Sequence, residues 1–214
     1  METSTLKDKI KSNLMPIVVV GLGIILIAGG LFYSLNKEIK IEKNTWNEDG
    51  TLKEGANCKT AVRSVRVTGA GTDIFKEGTK VEVEMNYYAC HKGARDEIVM
   101  IQSPGRKEPL FKYIKMVPGD KYSVVPSDSQ NKKTFKVVIN GESMKNSRGE
   151  DYTFTERKTR MIKLYEKNYQ NGIAPNVYFV FGENPRGGFD STRFGAITSD
   201  RMVGRVLTKP STEK

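Results

Sequence analysis

The chain has 214 residues, 37% of them hydrophobic and 28% charged, too apolar for a disordered tail and too polar for a protein of many membrane spans. A net charge of +10 and a sequence pI near 9.5 favour anionic partners but say nothing about fold. His91 is the only histidine and Cys58 and Cys90 the only cysteines, which excludes a His-rich metal centre and a structural zinc site.

From Ser12 to Asn36 no side chain is charged, a run of 25 residues. Its centre, Met15 to Tyr33, is nearly all apolar, and about 20 helical residues cross the hydrocarbon layer. The run exceeds the apolar region of a cleaved signal peptide, and no clean A-x-A site follows it. The expected organisation is a short N-terminal segment at 1–14, a transmembrane helix at 15–35, a polar juxtamembrane linker at 36–57 and a folded domain at 58–214. Lys7, Lys9 and Lys11 before the span balance Lys37, Lys40 and Lys43 after it, so charge alone does not orient it.

Cys58 and Cys90 form one disulfide in an oxidising compartment or stay separate thiols in a reducing one. Cys90 and His91 have the residue types of a nucleophile and its base, but such pairs normally meet through the fold, and a strand end with a half-buried thiol is the plainer reading. Beyond residue 57 the hydrophobic period is two. Thr79–Tyr88 alternates Val81, Val83 and Met85 with charged residues. Glu97–Ile101, Leu110–Val117, Thr134–Asn140 and Asn176–Phe181 are short β-branched or aromatic runs. Pro104-Gly105, Pro118-Gly119-Asp120, Asn140-Gly141 and Gly187-Gly188 punctuate them as turns. Met161–Tyr169 fits either period, and no long amphipathic helix is expected. The fold class is mostly β, with coiled rather than flat sheets. Basic residues are interleaved with acids and carry no aromatic stacking motif, so no nucleic-acid partner is expected.

On the strand from Leu110 to Val117, Leu110, Lys112, Ile114 and Met116 share one face. A lysine buried on such a face loses the solvation that favours its ammonium form and can then act as a general base. On a partly covered face it reaches out to water instead.

The order of motifs resembles the type I signal peptidases and the related peptidases that mature conjugation pilins. Phe111–Asp120 resembles the block in which a catalytic lysine precedes Pro-Gly-Asp, which places Lys112, not Lys115, at the lysine. Tyr178–Gly195 resembles the C-terminal block with its Asp-Ser-Arg turn, and Arg95–Ile101 the strand between the two. Val137–Glu142 and Asp200–Val206 fit a strand-plus-turn and the closing segment, whereas residues 143–175 match no block. The nucleophile block aligns without gaps on Phe75 to Gly78, putting Ala70 at the serine, Gly71 at the methionine and Asp73 at the proline. A shifted register offers Thr72 as a hydroxyl nucleophile.

The resemblance implies a coiled β-sheet domain behind one N-terminal transmembrane helix, with a short cytoplasmic N-terminus and the domain on the non-cytoplasmic side. It implies a serine-type endopeptidase fold acting on exported preproteins, bound as an extended strand at the membrane lipid, with no cofactor and no metal. Lys112 is then the general base, Ala70 the nucleophile position without a competent atom, and Thr68 a possible oxyanion donor. Asp190, Ser191 and Arg193 support the lysine, Thr192 stands where an arginine is usual, and Gly188 replaces a supporting serine. Glu183 replaces the usual aspartate. The alternative is a catalytically inactive relative that binds extended peptides or partners an active peptidase. An active enzyme requires a Ser or Thr hydroxyl within about 3 Å of the Lys112 amine.

Overall fold

The computed structural model describes residues 45–68, 73–103, 108–128, 134–184 and 188–210. The expected span at 15–35 lies outside them, and among the described residues no helix is long and apolar enough to cross a membrane. All of them belong to one compact unit, Lys40–Lys214.

The β-branched and aromatic runs become strands where the sequence places them. The strands are β1 (Ala61–Arg66), β2 (Lys80–Met85), β3 (Ile98–Ile101), β4 (Leu110–Met116), β5 (Tyr122–Pro126), β6 (Thr134–Ile139), β7 (Glu142–Ser143), β8 (Phe154–Thr155), β9 (Val177–Phe181), β10 (Ile197–Thr198) and β11 (Met202–Val206). They pair antiparallel in two sheets. The larger runs β1-β2-β11-β3-β4-β9-β10; the smaller runs β5-β6-β7, with β8 also on β6.

Period-two alternation assigns residues to separate cores. In β9, Tyr178 and Val180 face Val99, Ile101 and Ile114. Phe179 and Phe181 face Val137, Tyr152, Phe154 and Ile162. In β4 the expected common face breaks. Leu110 and Ile114 pack in the first of these cores, but Met116 packs in the second. The pairing register with β9 shifts between Ile114 and Met116, and such a bulge turns the following side chain to the other face. Every residue of β4 is buried.

Three findings differ from the sequence-based expectation or settle what it left open. Residues 156–168 form helix α1 (Glu156–Asn168), in a region read as ambiguous or unmatched. Its buried residues Thr159 and Ile162 lie three apart on one face, and a charged first half masks that face in any hydropathy pattern. The end of the segment read as a linker is docked on the domain. Thr45 and Trp46 are buried, donating to the carbonyls of Ala89 and Tyr88. Cys58 and Cys90 form a disulfide with Cα atoms 5.4 Å apart, so Cys90 is no thiol nucleophile, and His91 stacks on Tyr87.

Candidate functional site

The turn at 73–78 is fixed by the hydrogen bonds between Val67 and Thr79 and between Gly78 and Val67, and by Phe75, buried edge-on against Phe111 of β4. This packing sets Asp73 beside the neighbouring strand residue. Lys112 is fully buried, and its Nζ donates to Asp73 Oδ1 at 2.8 Å. Among the described residues Asp73 is the only acceptor that Lys112 Nζ has.

Two glycines make room for this carboxylate. A Cβ built on Gly182 would stand 1.5 Å from Asp73 Oδ2, so only glycine allows the side chain to lie there. A Cβ on Gly188 would stand 3.5 Å from Asp73 Oδ2, 3.8 Å from Asp190 Oδ2 and 3.8 Å from Lys112 Nζ. Gly188 has φ +83, a left-handed conformation that glycine adopts without strain. Tyr152 donates to the Gly182 carbonyl at 2.6 Å and pins that backbone.

Asp190 is fully buried as the N-cap of the short helix α2 (Ser191–Phe194). Its Oδ1 accepts from the Thr192 amide and hydroxyl, while its Oδ2, like Asp73 Oδ2, is buried without a partner. Ser191 is also buried, and its Oγ accepts from the Val180 amide of β9. Arg193, expected to brace the site with a guanidinium, is exposed; Thr192 supports Asp190 in its place. Thr68 is exposed. Ala70 and Thr72 lie outside the described residues, so the structure places neither. Glu183 accepts from the Ser147 hydroxyl at 2.9 Å.

Lys115, the lysine that the alignment passed over, is buried too. It pairs with Asp96 at 2.6 Å and donates to the Lys145 carbonyl at 2.7 Å, so a structural network uses its donors. Lys158 of α1 feels the charges of Asp190 and Asp73, which the sequence did not reveal. Desolvation holds its ammonium below the usual lysine range, while Asp190 and Asp73 act the other way. The only sequence signal for Lys158 was the ambiguous stretch that follows it.

The profile of the family described as signal peptidase, peptidase S26, matches residues 17–209. The chain belongs to this signal peptidase family. A signal peptidase I from Enterococcus faecalis V583 matches with 24% identity, covering 55% of this chain and 98% of that one at a TM-score of 0.38. No curated protein matches. Family membership makes a signal-peptidase-like function the frame for the site, and exported preproteins act as the substrates of such peptidases. Within that frame the lysine that the alignment picks out is held by a carboxylate.

Proposed function

We propose that this protein is a signal-peptidase-family member that binds extended segments of exported preproteins at the membrane without serine-type cleavage. The observation that carries this reading is the 2.8 Å ion pair between Lys112 Nζ and Asp73 Oδ1 on a fully buried lysine. Two sequence changes agree with it. Ala70 stands at the nucleophile position with no attacking atom, and Gly188 stands where the family resemblance expects a serine hydroxyl. In the same reading residues 15–35 anchor the chain, 1–14 are cytoplasmic, and the domain lies on the non-cytoplasmic side. The Cys58–Cys90 disulfide suits that side, since such bonds persist in oxidising compartments.

The test uses the detergent-solubilised full chain on an exported preprotein, beside Lys112→Ala, Ala70→Ser and Ala70→Ser/Asp73→Ala. The unmodified chain and Ala70→Ser alone leave the preprotein intact, because Asp73 still occupies the amine. Cleavage by the unmodified chain that disappears in Lys112→Ala would refute the proposal and point to Thr72 as the nucleophile.

A further inference from the structure

The smaller sheet ends at β7, which pairs with β6 on one side and with no described strand on the other. The bonds around it fix where its backbone groups point. The Met144 amide donates to the Val137 carbonyl and the Met144 carbonyl accepts from the Tyr152 amide, so both polar groups of Met144 face the sheet. In an antiparallel pair successive residues alternate in direction, so the N–H and C=O groups of Ser143 and Lys145 face away from β6. The Lys145 carbonyl bears this out, because Lys115 Nζ from β4 donates to it at 2.7 Å. Among the described residues no hydrogen bond engages the outward N–H and C=O of Ser143 or the N–H of Lys145. Such a row of unpaired groups is a template for one more strand.

This edge borders a cleft of about 860 Å³, a volume in the range of ligand sites. Its lining carries Arg95, Lys115 and Lys145 against Asp96, Glu142 and Asp151, so the formal charges cancel. Lys115 already pairs with Asp96 at 2.6 Å, so the buried ammonium there needs no outside anion. A charged ligand would enter such a cleft with its charge unmatched, whereas an uncharged chain would satisfy the edge with its own backbone. On β4 Lys115 lies three residues beyond Lys112, about 10 Å along the strand. A preprotein segment held near one lysine therefore reaches the other within a few extended residues.

We infer that the free edge of β7, from Ser143 to Lys145, is a strand-addition site for an uncharged extended segment of an exported preprotein. The site goes beyond the reading above, since it lies on the smaller sheet where residues 143–175 match no family block, and it takes its ligand from that reading. Carbonyls of the added segment accept from the Ser143 and Lys145 amides, and one of its N–H groups donates to the Ser143 carbonyl. No covalent bond is made or broken.

The experiment follows amide hydrogen exchange in the full chain in detergent, residue by residue, with and without an exported preprotein. With the preprotein at about ten times its Kd, exchange at the Ser143 and Lys145 amides is expected to slow about tenfold. A preprotein that binds while both amides exchange as before would overturn the β7 site and leave peptide binding standing. A preprotein that does not bind at all would overturn both. Protection that rises with protein concentration and needs no preprotein would overturn the inference in favour of a second copy of this chain on the same edge. A pair of variants gives an independent reading. Ser143→Pro removes the outward N–H at an edge position that tolerates proline, whereas Ser143→Ala keeps it. The first should bind preprotein at least about fivefold more weakly than the second, the scale of one lost hydrogen bond. Equal affinities in the two folded variants would overturn the site. The exchange measurement requires neither variant to fold.

Discussion

At the scale of single residues, the Asp73–Lys112 pair places an ion pair against a fully buried lysine. A fully buried ammonium is tolerable only with its partner in place. Asp73→Ala strands the charge and should cost about 3–5 kcal/mol of stability. The double variant Asp73→Ala/Lys112→Met replaces the pair by an apolar side chain of similar volume and should recover most of that loss. Denaturant unfolding of the three proteins checks this; equal destabilisation by the single and double variants would mean that the pair is not what the pocket depends on. Lys112 was legible in the sequence because it breaks an apolar alternation eight residues before Asp120. Its partner was not. Asp73 lies 39 positions away and gains its role only through the path of a turn that Phe75 anchors. Arg193 is exposed while its neighbour Thr192 is buried against Asp190, a difference that sequence spacing did not reveal. One position along a four-residue helix turns a side chain by about 100°, and the inward place belongs to Thr192.

At the scale of elements, strands were read well and the helix poorly. Alternation is a local signal, and β2, β3, β4, β6 and β9 all lie within runs that it marked. Helix α1 carries its signal only in the spacing of Thr159, Ile162 and Tyr165 amid charged residues, so packing rather than propensity defines it. Ile162 is the buried contact of that face, touching the Phe154 and Phe179 core. Ile162→Ala should cost about 2–5 kcal/mol, whereas Leu164→Ala, on a side chain 57% exposed, should cost well under about 1 kcal/mol. A comparable loss in both would show that the helix is not docked by that face. The disulfide acts on a different element. It ties the segment that begins with Thr45 and Trp46 to the turn after β2 and closes a loop of separation 32. Loop-closure entropy sets its contribution at about 4 kcal/mol, to be read as the stability lost on adding reductant.

At the scale of the whole molecule, the protonation of buried and half-buried phenols is expected to set the alkaline limit. Tyr88, Tyr122 and Tyr152 stand in three different parts of the domain, and burial pushes each well above the ordinary value of 10.0. Neighbouring Glu97, Glu166 and Glu183 push each in the same direction. In the unfolded chain these phenols release their protons near 10.0, while in the folded chain they keep them. Above that pH the folded state therefore binds more protons than the unfolded one, and stability falls as pH rises. Below it the full contribution is present. Lys158 has the opposite sign. Its value is lowered from 10.5, so raising the pH towards 10.5 relieves the cost of burying its ammonium. One partly buried lysine against the buried phenols of Tyr88 and Tyr152 and the half-buried one of Tyr122 leaves the net slope negative. The expected behaviour is a denaturation midpoint that is flat around neutrality and falls steeply once the pH passes 10.0, with phenolate absorbance appearing together with loss of the folded circular dichroism signal. Tyr122→Phe deletes a phenol whose hydroxyl donates to the Ile162 carbonyl. It should lower stability at neutral pH yet flatten the alkaline slope. Phenolate absorbance that saturates while the fold persists would show that these tyrosines ionise in place, and the alkaline limit would then have to come from the ion pairs instead.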